Sequence, residues 1–255
     1  MRRTGIVLVL GVVMAATLAA QTGSPMWMAS FHTTGPRNAY SSSSTLSGFT
    51  DRIAGRWDDG FVLIDVEYGD GAWFGVFELK AELNSWASST SIGGFTSQIR
   101  DAWADGLRVV DVTYGEGQWF GVFAPRSTTN AYSVADSYSE FKERIRDRWD
   151  DGYHLMDVAY GDGTWFGVFE VQPGRNAFAE GLNLDSFIDQ VEYWYDENLD
   201  IIDIAYGDGV WFAVFQQRAG SSSLSWRSDL TGLTDAIRAR WSDDWDLLST
   251  GFGYQ

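Results

Sequence analysis

The sequence predicts a β-rich α/β protein in which five similar units close into a propeller-like ring. Three observations support this prediction: a repeat of 46 residues, the absence of insertions between repeats, and a last unit that ends before its final strand. The segment Trp73–Phe77 recurs at Trp119, Trp165 and Trp211, and one further step back gives a diverged copy at Trp27–Phe31.

The closing of the ring is predicted from the two ends of the repeated region. Residues 26–255 span five periods, and Leu247–Gln255 occupy the repeat position of Leu63–Gly71, which elsewhere leads into the Trp strand. That strand is missing after Gln255 and present at Trp27–Phe31. An open stack would leave unpaired strand edges, whereas a ring whose first strand pairs with its last removes them. We therefore expect the N-terminal strand to complete the last unit.

Each unit is predicted to contain a helix, two strands and a third short strand. Phe49, Ile53 and Trp57 are spaced by four residues, which gives one apolar helix face, and Gly60 follows as a helix stop. Residues 61–68 are apolar on both faces, which is typical of a strand covered on both sides. Residues 69–71 then make a tight hairpin turn, and the short strand begins near Asn38 and its copies.

The first 25 residues have the pattern of a signal peptide. Arg2 and Arg3 precede an apolar run from Ile6 to Ala20, which is shorter than the roughly 20 residues of a membrane-spanning helix. We expect cleavage between residues 19 and 25, export to the periplasm or the extracellular space, and no stable membrane span after processing. Residues 26–255 are then a single five-repeat domain.

Composition limits the classes of partner and of chemistry. A net charge of −17 disfavours nucleic acid, which is itself a polyanion. The chain has no cysteine, so it has neither disulfides nor a thiol nucleophile, and its stability must come from packing of a core that is rich in tryptophan. The oligomeric state is left open.

The repeat resembles a known family. Arg148–Tyr153, an alternating strand and Gly161–Phe169 form a pattern that is similar to an uncharacterised tandem Trp/Gly repeat. That repeat lies C-terminal to the catalytic domain of plant casein-kinase-like kinases and also occurs in bacterial proteins. This chain departs from the family by having no kinase domain and by its predicted export signal. The resemblance implies a non-catalytic binding module and supplies no site residues.

Tryptophans are the first candidates for a ligand platform. Nine of the thirteen lie at repeated positions that alternate with small residues, which favours a role in the core. The remaining four depart from the repeat or occur in one unit, and we predict that they are exposed and bind ligand: Trp86, Trp194, Trp226 and Trp245.

A second set of candidates combines repeated aspartates and asparagines. Asp65, Asp111, Asp157 and Asp203 lie in apolar strands, where an unpaired carboxylate is costly. Asn38, Asn84, Asn130 and Asn176 each lie 27 residues earlier, and where the Asp becomes Ser249 the Asn becomes Ser222. This joint change predicts an Asn to Asp hydrogen bond within each unit; alternatively, the pairs line five polar ligand pockets.

Metal and catalytic sites are predicted to be absent. The acidic turns raise a calcium hypothesis, but no loop has the dense spacing of acidic residues that a calcium loop requires. The sequence contains two histidines and no nucleophile motif, so the expected cofactor content is none. Carboxylate-based hydrolysis needs two acids alone and remains an alternative.

The sequence-based function is a secreted, non-catalytic binding module for carbohydrate or another envelope component, with up to five similar sites whose weak affinities combine. A structural or protein-interaction ring is the first alternative, and a carboxylate hydrolase is the second. Near-identical units favour several equivalent sites over one specialised catalytic centre.

Overall fold

The computed structural model describes residues 23–33, 35, 38–82 and 84–255. The predicted signal peptide lies outside these residues except for its last three positions, so export and cleavage stay predictions. Among the described residues, none of the helices has the length and hydropathy of a membrane-spanning segment.

Helices and strands recur with the predicted period. The helices are α1 (Leu46–Asp58), α2 (Ile92–Ala104), α3 (Tyr138–Asp150), α4 (Leu184–Asp196) and α5 (Leu230–Ser242). The strands are β1 (Pro25–His32), β2 (Asn38–Ser43), β3 (Phe61–Gly69), β4 (Ala72–Leu79), β5 (Ser85–Ser89), β6 (Leu107–Gly115), β7 (Gln118–Pro125), β8 (Asn130–Ala135), β9 (His154–Gly161), β10 (Thr164–Glu170), β11 (Asn176–Gly181), β12 (Asp200–Gly207), β13 (Val210–Gln216), β14 (Ser222–Arg227) and β15 (Asp246–Tyr254).

The strands form five three-stranded antiparallel sheets, and a Trp strand lies at the centre of each. The strand orders are β2-β4-β3, β5-β7-β6, β8-β10-β9, β11-β13-β12 and β14-β1-β15. The five-unit, β-rich architecture with one helix per unit is therefore confirmed. In the fifth sheet β1 pairs with both β14 and β15, and Trp27 lies opposite Phe252. The N-terminal strand thus completes the last sheet, as predicted.

The order of elements within a sheet differs from the predicted one. The short strand β2 comes before α1 and pairs with β4 of the same sheet, so the unit is strand, helix, strand, strand. Both β2 and β3 run antiparallel to β4, so they are parallel to each other. Parallel strands need a long crossover connection, which is usually a helix. The helix therefore carries the chain from one edge of the sheet to the other.

Local sequence explains where each helix begins. The Thr45 side chain accepts a hydrogen bond from the Gly48 N–H, which satisfies one free donor of the first turn of α1. The same position is occupied in the other units by Ser91, Ser137, Asn183 and Asp229. Phe49 and Ile53 are fully buried, so the predicted apolar face of α1 is confirmed.

The predicted hairpin turn is also confirmed. Asp70 and Gly71 have φ angles of 47° and 73°, the left-handed conformation that a two-residue hairpin turn with the twist of its strands requires. Acidic residues followed by glycine adopt the same conformation in three further turns, at Glu116, Asp162 and Asp208.

A bulge in β3 decides which side chains enter the core. It lies between Leu63 and Asp65, and equivalent bulges interrupt β6, β9, β12 and β15. In a regular strand Leu63 and Val66 would point to opposite faces. The extra residue lets both enter the same hydrophobic cluster, while Asp65 faces away from it.

Strands β3, β6, β9, β12 and β15, called the facing strands, contact one another in sequence. Each contacts the next, and β15 contacts β3. At this last contact the backbone N–H and hydroxyl of Thr250 donate to Asp65 Oδ2, at 3.1 and 2.8 Å.

Small residues allow helix and sheet to approach closely, as the sequence predicted. A Cβ atom at Gly75 would lie 2.7 Å from Phe49 Cζ and 2.8 Å from Leu63 Cδ1, so a larger residue requires these side chains to move. The five tryptophans of the central strands are at most 1% exposed: Trp27, Trp73, Trp119, Trp165 and Trp211.

Candidate functional site

A cavity of about 1110 Å³ lies between the fifth sheet and the first, and we call it the junction groove. One wall comes from the end of α5 and the start of β15, which bring Trp241, Trp245 and Asp246. The other wall comes from β2 and α1, which bring Asn38, Tyr40, Arg56 and Asp59.

The sharp turn after α5 positions Trp245. Asp244 has a φ of 61°, so the chain reverses there, and the Trp245 N–H donates to the Arg240 carbonyl at 3.0 Å. The Arg240 guanidinium lies over the Trp245 ring, 5.3 Å from its centroid. This cation–π contact holds the indole in one orientation.

Stacked aromatic rings support the groove. Tyr40 stacks on Trp241 with centroids 5.6 Å apart, and its other neighbour is Phe74 at 5.3 Å. The rings come from both units that meet at the junction, so the aromatic wall depends on the contact between these units. Neither unit supplies it alone.

Fixed polar groups lie beside the aromatic rings. Arg56 donates to the Ser41 hydroxyl at 3.0 Å and to the Tyr40 carbonyl at 2.8 Å. Burial raises the pKa of Asp246, and the nearby carboxylates of Glu78 and Asp244 raise it further. Such an arrangement can hydrogen-bond a polyhydroxylated ligand while apolar C–H groups pack on the rings.

Of the four tryptophans predicted to be exposed, Trp245 alone lines this groove. Trp226 lies on β14 and is 38% exposed. Trp86 is half-buried and stacks on Phe120 at 5.4 Å, because it occupies the repeat position of Tyr40. Trp194 is also half-buried and donates to the Phe178 carbonyl at 3.1 Å. Trp245 is half-buried as well. The expectation of exposure is therefore confirmed for Trp226 and wrong for Trp86, Trp194 and Trp245.

The predicted hydrogen bond between asparagine and aspartate is wrong. The Asn130 amide donates to the carbonyls of Val109 and Phe169, both at 3.1 Å, and accepts from Trp103 Nε1 at 3.0 Å. Asn176 has the equivalent partners, and Asn84 bonds Trp57 and the Leu63 carbonyl. Asn38 donates to the Leu247 carbonyl at 2.5 Å. The asparagines therefore link adjacent units through the backbone and the tryptophan at the helix end.

A different contact explains why the asparagine is replaced by serine in one unit. Ser222 stands at the repeat position of Asn176, and Tyr195 stands at the position of Trp149. Trp149 Nε1 donates to Asn176 at 2.8 Å. Asparagine therefore contacts a tryptophan of the preceding unit. Where that tryptophan is replaced by tyrosine, the asparagine is replaced by serine.

The four aspartates meet one another at the facing strands. Each is at most 6% exposed: Asp65, Asp111, Asp157 and Asp203. Asp111 accepts from the Val66 N–H at 3.0 Å, and Asp203 accepts from the Val158 N–H at 2.8 Å. Each carboxyl therefore bonds the preceding facing strand. Asn38 and Asn176 line two of the cavities described here, and these aspartates line none of them. A ligand-binding role for the asparagines and aspartates stays a prediction.

Burial and mutual repulsion favour the protonated form of these carboxyls. Burial raises the pKa of Asp65 to about 7, although bonds from Thr250 oppose the shift. Burial and the nearby Asp65 raise the pKa of Asp203 to about 8. The pKa values of Asp111 and Asp157 are also raised, first by burial, and the two carboxyls share a hydrogen bond that requires one of them to hold a proton.

Cavities at other junctions differ from the junction groove. A cavity of about 240 Å³ is lined by Trp149, Tyr153, His154 and Asn176, which occupy the repeat positions of Trp241, Trp245, Asp246 and Asn38. Another, of about 560 Å³, is lined by Arg126, Thr128 and Glu170. The positions are equivalent, but their sizes and side chains are not.

Metal-binding geometry is not found among the described residues: no three His, Asp or Glu side chains are arranged to hold an ion. The turn carboxylate of Glu116 instead accepts from the Leu46 N–H at the start of α1 and from Trp73 Nε1, both at 2.9 Å. This acidic turn therefore stabilises the neighbouring helix N-terminus.

Sequence reasoning missed Tyr40, Arg56 and Trp241 as groove residues. Trp241 occupies a repeated position that was assigned to the core, and Tyr40 lies in the short strand, where only the asparagine was considered as a site residue. Arg56 is half-buried, as are the residues at its repeat position in the other units. All three residues lie at the junction between the last unit and the first. The predicted closure of the ring is the signal that could have identified this junction.

Comparison with known proteins adds no relative: no family model matches the chain, and no significant match is found among curated proteins. The resemblance to the Trp/Gly repeat family stays a prediction.

Proposed function

We propose that this protein is a non-catalytic carbohydrate-binding module whose principal site is the junction groove. The observation that carries the proposal is the combination of Trp245 with Asp59 and Asp246 in one open cavity. An indole packs against the C–H face of a sugar ring, and carboxylates and guanidinium groups accept or donate hydrogen bonds to adjacent hydroxyls.

The proposal favours one principal site rather than five equal ones. The cavities at other junctions are smaller, and one of them replaces Trp245 with Tyr153. Weak binding at these positions would add avidity toward a repetitive polysaccharide. Titration with a short oligosaccharide should therefore give a stoichiometry near one.

Glycan-array screening followed by calorimetry tests the proposal. Trp245→Ala should weaken binding of the best glycan by at least about tenfold, which corresponds to 1.4 kcal/mol. The matched control is Trp226→Ala, because Trp226 is the more exposed indole and lies outside the groove. Asp59→Asn tests the polar side of the groove. Absence of glycan binding at millimolar concentration would favour the protein-interaction ring instead.

A carboxylate-based hydrolase is the second candidate, favoured by Asp246. Glycosidases need one carboxyl with a raised pKa and one ionised carboxylate. The pKa of Asp246 is raised, and Asp244 lines the same groove. Release of reducing ends from a bound glycan, abolished in Asp246→Asn with binding retained, would establish hydrolysis. Binding without release supports the non-catalytic module.

We also propose that the five sheets close into a five-bladed α/β-propeller. This proposal is supported by the contact of β15 with β3, by the Thr250 to Asp65 hydrogen bonds, and by β1 at the centre of the last sheet. X-ray scattering tests it: a closed body of roughly 230 residues has a radius of gyration of about 17 Å. An open stack would give a larger value.

Export is the remaining part of the proposed function. The predicted signal peptide would place the module where envelope glycans are found. N-terminal sequencing of the protein recovered outside the cytoplasm should give a start between residues 20 and 26. Recovery from the cytoplasm with Met1 intact would contradict export.

A further inference from the structure

A second cavity, of about 500 Å³, lies where the facing strands end, and we call it the turn-end cavity. It shares no lining residue with the junction groove. The groove contains the first residues of β3 and β15, whereas the turn-end cavity contains their last residues. The two sites therefore lie at opposite ends of the facing strands.

Aromatic residues from all five facing strands line the turn-end cavity: Tyr68, Tyr114, Tyr160, Tyr206 and Phe252. Each ring packs on the central tryptophan of its own sheet, with centroids 5.0 to 5.2 Å apart. Tyr68 is also held by the neighbouring strand, because a Cβ at Gly115 would lie 2.3 Å from Tyr68 Cγ. The aromatic wall is thus fixed before any ligand enters.

Glu67 brings a carboxyl to this space from β3. Glu67 lines the cavity, and its Oε1 accepts from the Tyr68 N–H at 2.9 Å. The residues at its repeat position are smaller: Thr113, Ala159, Ala205 and Gly251. The room for a ligand therefore arises because four facing strands carry small residues where β3 carries a glutamate.

Other acidic residues lie near Glu67. Burial raises the pKa of Glu67, and the nearby Asp65 and Asp203 add to the shift. Asp70 lines the cavity as well, and Glu116 is close enough to raise the pKa of Tyr68. Among the described residues, no lysine, arginine or histidine lines the cavity. The carboxyls inside it therefore have no counter-charge from the protein.

We propose that the turn-end cavity binds an organic cation of the alkylammonium class, with Glu67 as the counter-charge and the tyrosine wall around the alkyl groups. Aromatic surfaces attract ammonium groups through their quadrupoles and also bury attached methyl groups. A small inorganic cation offers no apolar surface for this wall. A cation beside Glu67 favours the ionised carboxylate that burial disfavours, whereas a neutral ligand does not.

Titration calorimetry at pH 8 with choline tests the proposal, with potassium chloride at matched ionic strength and 3,3-dimethylbutan-1-ol as the neutral isostere. Choline should bind, and the neutral isostere should bind at least tenfold more weakly. Glu67→Gln keeps the shape of the side chain and should weaken choline binding at least tenfold. The matched control Glu143→Gln removes an exposed carboxylate of α3 and should leave binding unchanged.

Ala205→Leu provides a second variant, which fills the cavity from β12 and leaves Glu67 in place. It should also abolish binding while circular dichroism remains native. The proposal is overturned if the wild-type protein binds no choline at 10 mM, if the neutral isostere binds equally well, or if folded Glu67→Gln binds choline as the wild type does. The wild-type titration alone decides the matter if a variant does not fold.

Discussion

Four sheets are each formed by one continuous stretch of the chain, whereas the fifth, split sheet combines β1 with β14 and β15. The continuous sheets and the split sheet differ most at the facing strands. Each continuous sheet brings a buried aspartate to the common cluster, whereas β15 brings Ser249 and Thr250. The fifth strand also has Gly251, whose Cβ position would lie 2.6 Å from Ile204 Cγ2. The split sheet therefore departs from the repeat where the five strands meet.

This difference shows how a cluster of buried acids is tolerated. Thr250 is a donor that faces Asp65 through both its N–H and its hydroxyl. A fifth aspartate in place of Ser249 would add another carboxyl without adding a donor. A protein with aspartate in all five facing strands would therefore be less stable than the observed one. The strand without aspartate belongs to the sheet that the N-terminal strand completes.

The largest expected effect is the loss of a central tryptophan. Trp27→Ala and Trp73→Ala should each lower the free energy of unfolding by about 3 to 5 kcal/mol, because both side chains are fully buried. Trp73→Ala should cost more, since Trp73 Nε1 donates to Glu116, whereas the described residues provide no hydrogen-bond partner for Trp27 Nε1. Urea denaturation compares the two. A larger loss for Trp27 would contradict this account.

Adding the fifth carboxyl tests the comparison directly. Ser249→Asp should destabilise the protein by about 3 kcal/mol at pH 8, because it buries another acid among four. The loss should be smaller at pH 5, where the protonated form is accessible. The exposed Ser228→Asp is the control and should change stability by less than about 0.5 kcal/mol.

Stability should fall as pH rises through the neutral range. The folded pKa values of Asp65 and Asp203, about 7 and 8, exceed the usual unfolded value near 4, so the folded state holds protons that the unfolded state has lost. Between pH 7 and 9 these two groups should together remove roughly 2 kcal/mol. Both histidines have lowered pKa values and stay neutral in this window.

Chemical denaturation at several pH values measures this loss, and the variant Asp65→Asn with Asp203→Asn should show a flatter profile. An increase in wild-type stability from pH 7 to 9 would contradict the protonated cluster.

A methyl group at Gly251 should have a moderate effect. Gly251→Ala should cost about 1 to 2 kcal/mol, because the new Cβ would press on Ile204. Ala159→Gly, at the same repeat position in a continuous sheet, should cost less than about 1 kcal/mol. Thermal unfolding of the two variants shows whether the fifth junction is the tighter one.

The smallest expected effect concerns the asparagines. Asn130→Ala and Asp157→Ala should have additive effects on the free energy of unfolding, with a coupling below about 0.5 kcal/mol. Asn130 bonds Trp103 and the backbone, whereas Asp157 interacts with Asp111. A double-mutant cycle measures the coupling. A coupling above 1 kcal/mol would restore the Asn–Asp pair.

Much of the fold follows from local sequence. The repeat of 46 residues, the apolar helix face at Phe49 and Ile53, and the glycine turns at Gly71 each depend on neighbouring residues, so they can be read without tertiary contacts. The strand missing from the last unit also predicted the place of β1. Without a central strand, the two outer strands of that sheet would leave backbone donors and acceptors without partners.

The sites depended on contacts between units, which spacing within one unit does not encode. Trp241 and Tyr40 are about 200 residues apart in sequence, and their rings stack because the last unit contacts the first. Asn130 and Asp157 share a unit but face different neighbours, because the bulge in each facing strand turns the aspartate away from its own core. Sequence patterns therefore predict the units. Which side chains meet between units follows from the three-dimensional arrangement, because side-chain direction depends on bulges and on the packing of adjacent sheets.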